Sequence, residues 1–216
     1  MNTKIKAVLF DMDGVLIEAK EWHYEALNRA LDLFGMPISR FDHLTTFDGL
    51  PTRKKLEMLS LERGLPEQLH EFINEMKQQY TMELVHTQCK PVFVHEYALS
   101  NLKARGYKLA VCSNSVRNTV ESMMQKAGLY SYLDYMVSNE EVRRGKPDPE
   151  MYLNAMSYFK LLPEECLVVE DNENGIKAAR ASGAHLLVVK NTTDTNIENI
   201  LGAIERIERS TSGGAK

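Results

Sequence analysis

The sequence lacks a segment built to cross a membrane, since no apolar run approaches the ~20 residues that a spanning helix needs. It also lacks an excess of positive charge. The 216 residues carry a formal net charge of −4. No basic stripe stands out, so nothing favours nucleic acid as a partner. Cysteine is scarce: Cys89, Cys112 and Cys166 are odd in number, at spacings that suggest no motif. Cys112 and Cys166 lie in or at the edge of strand-like runs, which fits buried free thiols in a reducing cytoplasm. The N-terminus has no charged-then-apolar leader pattern, and its short apolar stretch is better used as a strand. Internal repeats and low-complexity segments are missing as well. The small, polar tail 210–216 is expected to be disordered.

What is present fits one sizeable core, or a core plus a small accessory domain. Short apolar runs bounded by turn residues read as strands at Ile5–Phe10, Tyr107–Cys112, Tyr135–Ser138, Leu167–Glu170 and His185–Val189. Helical patterns lie between them. Val116, Val120, Met124 and Ala127 recur at helical spacing, with Gly128 as a stop. Asp148 is placed to N-cap a helix beginning at Pro149, and Asn172 or Asn174 to start another. Such alternation predicts a doubly wound, Rossmann-like α/β core: a parallel sheet with right-handed crossovers. Ligands in such folds bind at the carboxyl ends of the strands, at a switch in strand order.

Residues 17–87 break the alternation, offering helical periods and no strand. His23, Leu27, Ala30, Leu31 and Phe34 mark one stripe, ended by Gly35 and Pro37. Leu56 and Leu59 mark a second, opened by Pro51, and Phe72, Met76, Tyr80 and Leu84 a third. The expected division is an α/β core made of 1–16 and 88–209, with a small all-helical cap, 17–87, inserted after the first strand. An insertion at that point suits a lid that excludes water and selects what enters.

The insertion begins beside a pair of acids. The first strand runs into Asp11-Met12-Asp13-Gly14-Val15-Leu16. Carboxylates at i and i+2 on a loop leaving a strand are costly unless they bind a cation or do chemistry. Gly14 frees the backbone to turn sharply there. Ser113-Asn114-Ser115 follows the second strand and opens the Val116 helix, so a hydroxyl beside helix amides could hold an anion. The same residues are also common helix caps. In Gly145-Lys146-Pro147-Asp148-Pro149, two prolines stiffen the loop and fix where Lys146 presents its charge. A plain surface-loop lysine would be spelled the same way. Glu170-Asp171 end a buried strand in adjacent acids, which could reach a metal directly and through water, or only cap the next helix. Each feature follows a candidate strand, where a doubly wound sheet gathers them on one edge. Together they are the inventory of a Mg²⁺-assisted phosphoryl-transfer site.

In these motifs, their order and their spacing, the chain resembles the haloacid dehalogenase-like superfamily from Ile5 to about Glu208. Within it, the likeness is to the branch of phosphatases and β-phosphoglucomutases with a small helical cap after the first motif. The resemblance implies that Asp11 attacks phosphorus to give an aspartyl-phosphate, while Asp13 protonates the leaving oxygen and later takes a proton from water. It implies Mg²⁺ held by Asp11, the backbone carbonyl of Asp13 and Asp171, with Glu170 supporting a bound water. Ser113 and the amide of Asn114 would bind the phosphoryl oxygens, and Lys146 would offset the charge around Asp11. In the cap, His23, Arg53 and the loop Asp48-Gly49-Leu50-Pro51, with Gly49 as its pivot, become candidates for contacting substrate. His23 reads equally as a core histidine, and Arg53 as part of a solvated Arg53-Lys54-Lys55 face.

Two departures bear on the reaction. The mutases usually carry a threonine-aspartate-threonine run after the first motif, where this chain has Ile17-Glu18-Ala19. Their cap loop places a lysine before its glycine, where this chain has Asp48. Both changes remove groups associated with a second sugar phosphate. The expectation is therefore a monomeric, cytoplasmic, Mg²⁺-dependent phosphatase of a small phosphorylated metabolite, a sugar phosphate or similar phosphoester. A phosphomutase and a non-catalytic phospholigand-binding protein are the alternatives. Phosphonatase chemistry would need a Schiff-base lysine, and Lys20 reads more simply as a helix-start surface residue.

Overall fold

The structure is a computed structural model and describes residues 4–47 and 50–212. The chain divides into two units, Met1–Glu18 with Lys90–Lys216, and Ala19–Cys89.

Among its described residues the second unit contains helices and no strand. Helix α1 (Lys20–Asp32) is followed by the single turn α2 (Arg40–Asp42), a π-helical turn (His43–Phe47) and α3 (Thr52–Arg63). A short 3₁₀ turn, Glu67–Leu69, then leads into the longest of them, α4 (His70–Gln88). This unit has a core of its own, in which Leu27, Leu31, Phe47, Leu56, Leu59 and Ile73 are buried. Each such side chain contributes about 1.5–3 kcal/mol when fully withdrawn from water.

The stripe expected on α4 is rotated. Phe72 is exposed, while Ile73, Lys77, Thr81, Leu84 and Val85 are buried, with Met76 and Tyr80 packed at the flank. Two of the inward positions are polar, which hides them from a hydrophobic period. Thr81 is satisfied locally by donating its hydroxyl to the Lys77 carbonyl at 2.8 Å.

The first unit carries the sheet. Strands β1 (Ala7–Phe10), β2 (Lys108–Cys112), β3 (Tyr135–Val137), β4 (Cys166–Glu170) and β5 (His185–Val188) are all parallel, in the order β3-β2-β1-β4-β5. Helices α5 (Phe93–Ala104), α6 (Arg117–Lys126), α7 (Glu150–Phe159), α8 (Glu173–Ser182) and α9 (Ile197–Ser212) accompany them. Strands β1 and β4 are buried along their whole length, which is why they read as continuous apolar runs rather than alternating ones. One cluster joins Leu9, Cys112, Val137 and Val168 of the sheet to Tyr152, Ala155 and Ala178 of α7 and α8.

The helix starts differ in detail from the sequence reading. Helix α7 begins at Glu150, not Pro149. Asp148 still serves its first turn, because its Oδ1 accepts the Glu150 N–H at 3.1 Å. Asn172 caps α8, accepting the Gly175 N–H at 3.1 Å. Helix α9 runs to Ser212, into the tail expected to be disordered. The chain passes from β1 out to β2 and β3, then returns to the other side of β1 for β4 and β5. Order therefore switches between β1 and β4, and that crevice is where such sheets bind ligands.

Candidate active site

Parallel register sets the site. Phe10 is level with both Val111 and Val169, so β1, β2 and β4 run out together and their next residues, Asp11, Ser113 and Asp171, leave the same edge. The Asp11 N–H donates to the Val169 carbonyl at 3.0 Å, and the Ser113 N–H to Val137 at 2.9 Å. Beyond Asp13 the chain reverses at Gly14, whose φ of 88° is open to glycine and strained for other residues. The Gly14 N–H closes this turn on the Ile17 carbonyl at 2.7 Å, and the Ile17 N–H returns to Met12 at 2.9 Å.

Lys146 stands at the centre, 3% exposed. Its Nζ lies 2.5 Å from Asp11 Oδ1 and 2.5 Å from Glu170 Oε1. Burial alone would lower the pKa of this ammonium, but the charges and hydrogen bonds of Asp11 and Glu170 raise it above its ordinary value. For Asp11 the balance runs the other way. Burial and then Glu170 push its carboxyl well above the usual range, with Asp13 and Asp171 adding to the rise against the pull of Lys146. Two buried carboxylates, Asp11 and Glu170, thus share one ammonium, with the half-buried Asp13 and Asp171 nearby, an excess of negative charge that a cation would relieve.

The donor set fits such a cation. Asp11, Glu170 and Asp171 each offer an oxygen, and these lie within 4.8 Å of one another. Hard oxygen donors of this kind suit Mg²⁺. Glu170 has less to give than the other two. Its Oε1 already accepts from Lys146 Nζ and, at 2.7 Å, from the Tyr152 hydroxyl, and its Oε2 accepts the N–H groups of Asp171 at 3.0 Å and Asn172 at 3.4 Å.

The Ser113–Ser115 turn is tied together by the Ser115 N–H, which donates to Ser113 Oγ at 3.1 Å. Ser113 is buried and its hydroxyl proton stays available to an anion. Ser115 Oγ donates to Asp13 Oδ2 at 3.4 Å. The Asn114 side chain turns to the Lys146 backbone, accepting its N–H at 2.9 Å and donating to its carbonyl at 3.2 Å. The Asn114 side chain is thus committed to the loop that carries Lys146. Cys112 lies just before this turn, and burial pushes its thiol up to about 12, which leaves it inert. All three cysteines are buried and unbridged by disulfides.

The structure thus brings Asp11, Asp13, Ser113, Asn114, Lys146, Glu170 and Asp171 together in the first unit. His23 and Arg53 belong to the second. His23 is half-buried on α1, its Nδ1 3.3 Å from Lys77 Nζ. The Arg53 side chain is 89% exposed and pairs with Glu57 at 3.3 Å. Asp48 and Gly49 lie outside the described residues. Tyr152, Ser115 and Asn172 were not singled out from the sequence. Ser115 stands inside the Ser113–Ser115 motif, and the sequence offers Asn172 only as a helix cap. Tyr152 gave no signal beyond an aromatic at a helical core position.

A profile of the haloacid dehalogenase-like hydrolases matches residues 8–189. A phosphorylated carbohydrates phosphatase of Thermotoga maritima is 31% identical over 182 residues, 83% of this chain and 82% of the relative. A phosphoglycolate phosphatase of Aquifex aeolicus is 28% identical over 179 residues, 83% of this chain and 82% of the relative. Among solved structures, a β-phosphoglucomutase of Clostridium difficile superposes with a TM-score of 0.80 at 22% identity, covering 94% of this chain and 98% of that one. At that identity the likeness speaks for the fold.

Proposed function

The chain belongs to the haloacid dehalogenase-like hydrolases and is a phosphoric monoester hydrolase, and from that premise we propose that it is a Mg²⁺-dependent phosphatase working through Asp11. The observation that carries this reading is the ammonium of Lys146, shared at 2.5 Å between Asp11 and Glu170. A lysine so placed holds the nucleophile still and offsets the charge of an incoming phosphoryl group. Asp11 attacks phosphorus to form an aspartyl-phosphate, which splits one hard displacement into two easier ones. Asp13 gives a proton to the leaving oxygen and then takes one from water, with Ser115 orienting its carboxylate. Ser113 and the main-chain amide of Asn114 receive the phosphoryl oxygens. Asp11, Asp171 and the Asp13 carbonyl would hold Mg²⁺, with Glu170, its oxygens already engaged, acting through water. Once bound, the ion draws charge from the phosphoryl oxygens.

The substrate is proposed to be a small phosphorylated metabolite, a sugar phosphate or similar phosphoester, as in the Thermotoga relative. His23, Arg53 and Gly49 are the proposed substrate contacts, His23 toward the leaving group, Arg53 toward a second anionic or hydroxylated part and Gly49 as the pivot of the cap loop, and the helical unit is proposed to exclude water. We take the enzyme to act as a monomer in the cytoplasm. No helix among the described residues is long and apolar enough to cross a membrane. Hydrolysis is favoured over mutase chemistry because Ile17 and Ala19 are buried and apolar, offering no hydroxyl to a second phosphate.

The test is phosphate release from a panel of sugar phosphates, phosphoglycolate and nucleotides, with Mg²⁺ and with EDTA. Metal-dependent release concentrated on one chemical class is expected. Conversion of β-glucose 1-phosphate to glucose 6-phosphate with a trace of bisphosphate, and no free phosphate, would overturn hydrolysis in favour of the mutase.

A further inference from the structure

Tyr152 is fully buried on α7, where a phenylalanine would fill the same space. A buried hydroxyl costs free energy unless it is hydrogen-bonded, and this one donates to Glu170 Oε1 at 2.7 Å. The same oxygen accepts from Lys146 Nζ, which also lies 4.9 Å from the centroid of the Tyr152 ring. The ammonium is thus held by Asp11 Oδ1, by Glu170 Oε1 and by an aromatic face. Glu170 is held in turn at both ends, Oε2 by the Asp171 and Asn172 amides and Oε1 by the tyrosine hydroxyl.

We propose that Tyr152 is a positioning residue: its hydroxyl locks the Glu170 carboxylate and thereby fixes Lys146 Nζ against Asp11. The hydroxyl touches no reacting atom. Without it, Glu170 Oε1 keeps Lys146 as its remaining donor, and the carboxylate, held now at Oε2 alone by the Asp171 and Asn172 amides, can pivot there and carry the ammonium with it. Small displacements of this kind are amplified in rate, because the barrier depends on preset geometry.

The inference rests on the roles proposed above for Lys146 and Asp11, and its test has an arm that needs no turnover. In metal-free protein, a proton–nitrogen spectrum selective for lysine ammonium groups should show a line from the buried Lys146, identified by its loss in Lys146→Met. Tyr152→Phe is expected to shift or broaden that line. With Mg²⁺ and p-nitrophenyl phosphate, the same variant should lower kcat about tenfold. In the Lys146→Met background it should cause little further loss, because both substitutions act on one unit. An unmoved ammonium line, or rate effects that simply multiply, overturns the proposal. If Tyr152→Phe does not fold, Lys146→Met supplies the reciprocal reading: the resonance of the buried Tyr152 hydroxyl proton must shift, and an unchanged position overturns the coupling. Should the wild type fail to turn over any phosphoester, the spectral arm still decides whether Tyr152 and Lys146 are linked.

Discussion

Asn114 grips the peptide backbone of Lys146 at two points, its Oδ1 accepting the Lys146 N–H at 2.9 Å and its Nδ2 donating to the Lys146 carbonyl at 3.2 Å. The carbonyl of Asn114 is itself held by Asn139 Nδ2 at 2.9 Å. The loop that bears the lysine is thus fastened to the turn that follows β2. A side chain at Gly145 would collide with the Asn114 amide, so the loop approaches closely because that position is glycine. Asn114→Ala should remove two hydrogen bonds of about 1 kcal/mol each and let the Lys146 backbone drift. We expect kcat to fall roughly tenfold or more, with a thermal midpoint only a few degrees lower. Loss of stability with no loss of kcat would show that the clamp serves folding alone.

Asp11→Asn should lower turnover by roughly 10³-fold or more, because an amide oxygen cannot replace the carboxylate nucleophile. The fold should survive, since the isosteric amide relieves buried negative charge beside Glu170. Phosphate release and a denaturation midpoint, measured on the same preparation, check both halves. Turnover near the wild-type rate would remove Asp11 from the nucleophile's place.

The strand-end residues were legible because each stood next to a short apolar run, and runs buried on both faces carry little but apolar side chains. The helical unit was legible from missing strands. What the sequence hid were contacts made across long separations or by polar groups on core faces. Asn114 reaches Lys146 across the loop between β3 and α7, and no spacing rule joins them. Tyr152 looks like any core aromatic until its hydroxyl is seen on Glu170. On α4, Lys77 and Thr81 occupy buried positions and shift the apparent apolar stripe by one residue.

Gly175 should be intolerant of alanine, although it sits in the first turns of α8, where alanine is the better helix former by about 1 kcal/mol. A Cβ there would overlap the Glu170 carboxylate. Propensity and packing thus point in opposite directions, and packing wins, since overpacking costs about 1–3 kcal/mol. Gly175→Ala is expected to lower both stability and kcat, because the atom it displaces is the one that holds Lys146. A stabilised, fully active variant would mean that α8 can move away from β4 at no cost.

The acid limb of the stability profile should depend on Asp134. Its Oδ2 accepts the Leu109 N–H at 3.0 Å, and its Oδ1 meets Lys103 at 2.7 Å and Lys108 at 3.4 Å. Burial opposes its charge, but the Lys103 hydrogen bond, the Leu109 amide and the two ammonium charges outweigh it and hold the carboxyl below its usual pKa. A pKa lower in the folded state than in the unfolded one stabilises the fold above the unfolded value, about 3.9. That contribution is lost as pH falls through the lower, folded value. Because both lysines are partly exposed, the contribution at neutral pH is about 1 kcal/mol or less. Asp134→Asn keeps an acceptor for Leu109 but has no charge to titrate. Urea midpoints at pH 7 and pH 3 should therefore show a smaller acid loss in the variant than in the wild type. Equal losses would place the acid sensitivity in other carboxylates, and the Asp134 bridge between β2 and β3 would then be held by its hydrogen bond alone.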